Sequence, residues 1–405
     1  MITTQFYSVA VSPDASIVGG TEANGSIYIP SANGFGNNKS GDVIWTINSE
    51  GYNPNSFQYT TSGGNVGASQ FQRQDPTSRK SLILSRPYAQ IARTYGNNGD
   101  YQLIDDVTWN YGKTLFPAGI NENQVWAPYE PSVTPMLLWE SINSQLPDSM
   151  FLVINKNTAI NGVYDPDWKE GAWIKPNDTV TAKSPNMEYP FYYVFTDSLQ
   201  YNQDTAILIQ NPVQSRLFFG TSQGLFACSN INDYMASPLD GSLTKISFVK
   251  FYETTKFANE PTEEIHCIAI TDDGKTLFVS TDKVGAITDT SFLYRFDISQ
   301  INFLTSNATI TLVPQVQLFT RKITSINVDK KNGNNVLLTF GTYISANSNI
   351  QVSSNALAEP FSSATFKEVI NIDPENGTDF LPNSKPVFCG LIESVKNTTG
   401  NVAYI

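Results

Sequence analysis

The sequence predicts an all-β fold, a β-propeller of about seven four-stranded blades with the last blade incomplete. Three observations carry that expectation. A unit of apolar strand, tight turn and second apolar strand returns seven times, at intervals of roughly 60 to 70 residues. No stretch sustains the 3.6-residue apolar period of an amphipathic helix. The 405 residues are 40% hydrophobic and 12% aromatic, enough for a large core and too apolar for disorder. The seven turns centre on Asp14, Asp75-Pro76, Pro147-Asp148, Asn211-Pro212, Asp273-Gly274, Asn332-Gly333 and Thr399-Gly400. Pro, Asn, Asp and Gly supply the constrained or positive φ angles of a reversing chain, and the flanking Val, Ile, Leu and Phe suit a pleated, buried surface. One hairpin cannot bury both its faces. Sheets stacked radially, each packing on its neighbours, solve that problem for a repeat of this length.

The units start near residues 6, 66, 135, 204, 264, 322 and 386, and their even spacing over 1–405 favours a single domain. In the first, FYSVAVSPD, SIVGGTEANG and SIYIP alternate strand and turn, with Asn24-Gly25 as a second hairpin signal and GDVIWTIN as a fourth strand. The second gives VGASQFQRQDPTS, KSLILSRPY, QIARTYG and YQLIDDVTW. The third is less regular: PMLLWESINSQLPD and SMFLVINKN precede a long stretch reaching about Tyr193. In the fourth to sixth units the wording is clearest: LFFGTSQGLFACSN, IHCIAITDDGKTLFVSTD followed by SFLYRFDIS, and KITSINVDKKNGNNVLLTFGTY followed by NIQVSSN. The seventh, PVFCGLIESVKNTTGNVAYI, stops inside its second strand, so the expectation is a fragment of a longer chain or a ring with one incomplete blade.

These phrases resemble the blades of the β-propeller superfamily with sialidase-type or WD40-like repeats, as in secreted, Bacteroidota-like propeller proteins. The resemblance extends along the chain as a pattern of apolar strand, D-G or N-P turn, apolar strand and G-T-x-x-G. It implies a fold, and leaves activity to be argued from a site.

A net charge of -12, with 25 Lys and Arg thinly spread, leaves no basic stripe for a phosphate backbone and argues against nucleic acid as a partner. No apolar run approaches the roughly 18 to 20 residues of a membrane helix, so no transmembrane segment is expected. The amino-terminal MITTQFYSV lacks the basic and apolar regions of a signal peptide. Low Lys with abundant Asn, Thr and Ser points to an extracellular or cell-surface bacterial protein, and the absent signal agrees with the fragment reading. Cys228, Cys267 and Cys389 lie in three different apolar strands without a CxxC pair, and three reduced, buried thiols are expected.

Chemistry is sparse. His266, the single histidine, lies in a predicted inner strand and reads as a core or channel-lining side chain, which argues against a histidine metal site and against Ser-His-Asp or Cys-His catalysis. Gly19-Gly20 and Gly63-Gly64 are turns or bulges in a chain without a GxxxxGK[ST] loop. The acids of DDG at Asp272 to Gly274 read as a hairpin turn before they read as a calcium loop. Neither a metal nor any other cofactor is expected. Glycoside hydrolysis by paired carboxylates is the alternative function. Its candidates, Asp105-Asp106, Asp165 with Asp167, Glu263-Glu264 and Asp272-Asp273, are mostly adjacent in sequence, which points neighbours on a strand to opposite faces. The arginines Arg73, Arg79, Arg86 and Arg93 fall in one unit, and no S-x-D-x-G-x-x-W box is recognisable.

Aromatic residues carry the remaining signal. Trp126, Trp139, Trp168 and Trp173, four of the six tryptophans, fall between Val125 and Tyr193. Trp139 and the YPFYYVF run are expected to pack in a blade. Trp168 and Trp173, in the loop-like YDPDWKEGAWIKP, are candidates for a ligand platform. The predicted function is a noncatalytic propeller that binds a protein or glycan partner. Its site would use Tyr164, Trp168 and Trp173 together with loops leaving the second strands at Arg86, Tyr88 and Tyr343.

Overall fold

The computed structural model describes residues 6–11, 17–21, 26–29, 45–47, 66–68, 80–86, 90–97, 100–106, 134–142, 149–155, 157–164, 172–183, 190–200, 205–210, 213–221, 224–229, 248–254, 256–257, 260–261, 263–283, 290–301, 310–341, 349–369, 390–392 and 403–404. Among these the regular structure is antiparallel β with two short 3-10 turns and no α-helix. The first sheet pairs β1 (Phe6–Val11), β2 (Ile17–Thr21), β3 (Ser26–Ile29) and β4 (Trp45–Ile47) in chain order. The second likewise pairs β5 (Val66–Ala68), β6 (Lys80–Arg86), β7 (Gln90–Asn97) and β8 (Asp100–Asp106).

The third sheet departs from the sequence expectation. Its edge strand β9 (Met136–Ile142) does not pair with β10 (Ser149–Ile154), the strand that follows Pro147-Asp148 in sequence. The chain first makes an excursion through β10, β11 (Trp173–Ile174), β12 (Thr179–Lys183), β13 (Pro190–Val194), β14 (Leu199–Gln200) and β15 (Thr205–Gln210). It then returns as β16 (Val213–Thr221), which pairs with β9 and is followed by β17 (Gly224–Cys228) and β18 (Val249–Tyr252). The units expected from 135 and 204 therefore share one sheet, and the turns at Pro147-Asp148 and Asn211-Pro212 each join strands of different sheets. After a small hairpin of β19 (Lys256–Phe257) and β20 (Glu260–Pro261), the fourth sheet holds β21 (Glu263–Ile270), β22 (Thr276–Lys283), β23 (Ser291–Asp297) and β24 (Gln315–Phe319). The fifth holds β25 (Ile323–Val328), β26 (Val336–Phe340), β27 (Ile350–Ser353) and β28 (Lys367–Glu368). Last come β29 (Leu391–Ile392) and β30 (Ala403–Tyr404), paired only with each other among the described residues. Among the described residues there are thus five four-stranded sheets and, outside the excursion, the two pairs β19–β20 and β29–β30.

Each sheet packs face to face on the next. First strands meet in succession: β1 against β5, β5 against β9, β9 against β21, β21 against β25 and β25 against β29. The core follows the same order. In β16, Leu217 and Phe219 join Ile83 of the second sheet, while Phe218 turns to the fourth sheet and packs with Trp139, Phe251, Leu277 and Phe296. In β22, Leu277 faces back to the third sheet and Phe278 forward to Phe340 and Phe361 of the fifth. Leu337, Ile350 and Ile392 continue into the last pair. A sheet covered on both faces needs continuous apolar runs, which is why LFFG and TLFV do not alternate with polar residues. Each fully buried Phe contributes roughly 1.5–3 kcal/mol.

Two repeated devices lock neighbouring sheets. An ideal Cβ on Gly274, in the β21–β22 turn, would lie 2.5 Å from the Trp139 ring of the preceding sheet. Trp139 Nε1 also donates to the Asp272 carbonyl at 3.2 Å. Gly333, in the β25–β26 turn, meets Thr271 in the same manner, its ideal Cβ 2.8 Å from Thr271 Cγ2. The turn glycines are thus packing positions as well as reversals. The second device is a bulge near the start of β1, β21 and β25, at Phe6/Ser8, Ile265/Cys267 and Ile323/Ser325. Each bends the first strand of its sheet, and in the fourth and fifth sheets it re-aims His266 and Thr324.

Candidate functional site

The excursion between β9 and β16 is built on a core of its own. Leu152, Ile154, Ile174, Val180, Ala182, Phe195 and Ile209 are buried together, with Tyr193 and Ile160 against them. Its strands nest: β10 with β15, β11 with β14, and β12 with β13. Trp173 opposes Gln200, Ile174 opposes Leu199, and the same register resumes from Thr179 opposite Val194 to Lys183 opposite Pro190. Between them Asn177 N–H donates to the Phe195 carbonyl and Phe195 N–H to that of Asp178, so 173–183 and 190–200 form one ribbon.

Local chemistry explains its kink. Pro176 at the second position of a turn and Asn177 at the third, with φ 72°, make a type II turn closed by Asp178 N–H on the Lys175 carbonyl at 3.1 Å. Asn161 and Gly162, with φ of 51° and 75°, make a type I′ turn between bridged Ile160 and Val163. Asn161 ties the two turns together, donating to Asp178 Oδ1 at 2.8 Å and accepting from Thr179 N–H at 2.8 Å. The Lys175 N–H and Asn161 hydrogen bonds hold the Asp178 carboxyl below its ordinary range.

One face of the ribbon is buried and the other is open. Trp173 is 58% exposed, Tyr192 74% and Tyr164 53%, while Ile174 is fully buried. The expectation for YPFYYVF is corrected here. The run lies in the excursion, where Tyr193 packs edge-on against Phe195 at 5.1 Å but Tyr192 points outward. Strict alternation within PFYYV was the signal that could have separated the two tyrosines. Trp139 is a core residue.

Of the other anticipated site residues, Arg86 alone lies within a described strand. Arg86 ends β6, at the end of its sheet where the first strand begins, because Val66 opposes Leu84. The excursion leaves its own sheet at the end where the first strand finishes, because Ile142 opposes Val213. Strand direction alone therefore does not bring Arg86 to the excursion. Trp168, Tyr88 and Tyr343 lie outside the described residues, as do Asp165 and Asp167.

Of the candidate carboxylates, Glu263 and Asp273 hold structural hydrogen bonds. Glu263 is buried and accepts from Tyr252 Oη at 3.2 Å and Tyr294 Oη at 2.9 Å, while Glu264 faces solvent on the other side of the strand. Burial and the neighbouring Glu263 charge push the Tyr294 phenol up to about 12. Asp273 Oδ1 accepts from Thr271 Oγ1 at 2.6 Å and Lys275 N–H at 3.1 Å, which closes the turn. Among the described residues no group of three His, Cys, Asp or Glu side chains is placed to hold a metal ion.

His266 has a partner that the sequence did not disclose. Its Nε2 lies 2.8 Å from Asp282 Oδ2, and Lys322 Nζ, just before β25, lies 2.9 Å from the same oxygen. Ser291 Oγ donates to Asp282 Oδ1 at 2.5 Å and accepts from Ile323 N–H at 2.9 Å. Asp282 thereby pins the fourth sheet to the fifth. Burial pushes its carboxyl up, but the bonds from His266, Ser291 and Lys322 outweigh burial and hold it below the ordinary range. A depressed carboxyl contributes stability that is present above the unfolded value of about 3.9 and is lost as pH falls through the folded value. Asp282→Asn is expected to cost about 2 kcal/mol at pH 7 and to shrink the stability lost between pH 5 and pH 2, read from urea unfolding at each pH. Equal losses of stability with acid in both proteins would show that Asp282 is not a linking group.

Neither Cys228 nor Cys267 is in a disulfide, and Cys389 lies outside the described residues. Cys267 Sγ donates to the Thr324 carbonyl at 3.1 Å, and burial pushes its thiol up to about 11, which leaves it a packing group beside His266 and not a nucleophile. No described helix is long and apolar enough to cross a membrane.

No family model and no curated protein matches the chain. Among solved structures it is similar to a GH74 enzyme of Niastella koreensis, at TM-score 0.34 and 10% identity over 91% of this chain and 46% of that one. It is also similar to extracellular domains 1–2 of Drosophila Semaphorin 1a, at TM-score 0.36 and 10% identity over 98% and 83% of the two chains. A third is the extracellular domain of a hybrid two component system from B. thetaiotaomicron, at TM-score 0.21 and 10% identity over 92% and 47%. The chain spans less than half the length of the first and third. The architecture above rests on strand pairing and not on these scores.

Proposed function

We propose that the chain is a noncatalytic, extracellular or cell-surface bacterial propeller whose body, residues 1–405 with sheets around a common axis, carries the excursion 149–210 as a binding arm for a protein or glycan partner. The observation that supports it most is the arm's construction. A self-contained core holds a ribbon whose outer face presents Trp173 and Tyr192 to solvent. Exposed aromatics on a rigid ribbon lose little rotamer freedom on binding and offer large contact area. The acidic balance of the chain and its lack of a basic stripe support a partner other than nucleic acid.

The test is binding of wild type and Trp173→Ala to a printed glycan array and to immobilised mucin, collagen and fibronectin. Wild type is expected to retain at least one of these ligands, and the variant to lose about tenfold in affinity with Tm within about 2 °C. A ligand held equally by both proteins would remove Trp173 from the site. A variant that melts far lower would make the residue structural.

A further inference from the structure

The continuous register of the arm places more on its outer face than one tryptophan. On the open side its paired ends carry Trp173 with Gln200, and Thr179 and Thr181 with Val194 and Tyr192, and the turn of 175–178, with Lys175 and Asn177, lies between them. Trp173 and Gln200 stand opposite each other at one end, both exposed, and Thr181 and Tyr192 do the same at the other. Opposed side chains on one face have Cβ atoms about 5 Å apart, so each aromatic ring has a neutral hydrogen-bonding group beside it. Eight residues separate Trp173 from Thr181, an upper bound of about 26 Å for extended chain, shortened by the kink. Between the ends lie Ser198, Thr196 and Asn177, all exposed. Lys175 is the one charged residue among those named, and Asp197 Oδ2, beside the strip at the kink, accepts from Thr196 Oγ1 at 3.1 Å.

Resting on the binding-arm reading, we infer that this strip takes a linear, neutral oligosaccharide laid along the ribbon, with one ring stacked on Trp173 and another on Tyr192. The chemistry selects that class. A pyranose ring has an apolar C–H face that fits an indole or phenol face, and edge hydroxyls that both donate and accept, as Gln, Asn, Ser and Thr side chains do. A cluster of like charges would favour an ionic ligand, and the strip carries only the single charge of Lys175. The centre of a protein interface would be apolar and continuous, whereas here polar groups separate two isolated aromatics. Two platforms this far apart make a length requirement: a short sugar reaches one ring, and a longer chain reaches both and gains through effective concentration.

The experiment is calorimetric titration of the whole chain with cello-, xylo-, malto- and laminari-oligosaccharides from disaccharide to hexasaccharide, with oligogalacturonate as the charged contrast. At least one neutral series is expected to bind, its affinity rising with length. Trp173→Ala and Tyr192→Ala should each lower hexasaccharide affinity about tenfold and flatten the dependence on length. Tyr192→Phe should keep most of it, and unchanged melting curves show that each variant is folded. Length-independent affinity, an inert Tyr192→Ala, or binding confined to oligogalacturonate overturns the inference. If mucin, collagen or fibronectin is bound in a Trp173-dependent way and no oligosaccharide is, the glycan assignment falls while the binding arm stands. If a chain lacking 143–212 binds whatever the wild type binds, both fall.

Discussion

Replacing residues 143–212 by a two-residue Asn-Gly turn should leave the third sheet intact and abolish ligand binding. Ile142 and Val213 lie directly opposite each other, so the cut ends are already at hairpin distance. A type I′ turn matches the twist of the strands it would join. The buried side chains of the arm pack among themselves, in a cluster separate from those that bind the sheets together. The remaining body should therefore melt within about 4 °C of the full chain and keep its β-sheet circular dichroism, while every ligand held by the wild type is lost. A body that fails to fold would show that the excursion covers part of the third sheet. A folded body that still binds would move the function to the sheets.

The second large effect is expected at a glycine. Gly224 opens β17 with φ +137°, and an ideal Cβ there would lie 1.9 Å from the Tyr252 carbonyl oxygen of β18. That atom is backbone and cannot swing away. Accommodating alanine would push β18 off β17, releasing Phe251 from the core and Tyr252 from Glu263. Gly224→Ala should cost about 4 kcal/mol or more, the sum of backbone strain and lost packing. Gly162 is the control. Its φ is +75° but nothing lies within 4 Å of its ideal Cβ, so Gly162→Ala should cost about 1 kcal/mol from conformation alone. Urea unfolding of the two variants separates the contributions. Similar losses at both sites would mean that the contact with Tyr252 is not the cause.

Strands and turns could be read from sequence because their chemistry is local. Asp-Gly and Asn-Gly at 273–274 and 332–333 reverse the chain wherever they occur, and apolar runs such as TLFV and VLLTF announce strands buried on both faces. The partner of each strand is a different kind of fact. Pro147-Asp148 and Asn211-Pro212 are as good as turns as the others, yet β9 reaches across about seventy residues of chain to β16. That choice depends on burial. Phe218 and Phe219 of β16 need a sheet on either side, and β9 gives β16 a place between the second and fourth sheets. The strands β10 and β15 leave Val153 and Leu208 in solvent, so they can form a ribbon outside the stack. Strand alternation turned Tyr192 out and Tyr193 in once the arm's own core had fixed which face is buried, and the packing of the fourth sheet on the fifth brought Lys322 to the His266–Asp282 pair. Strand periodicity is written in neighbouring residues, whereas pairing and ion-pair partners follow from which surfaces the whole chain can bury together.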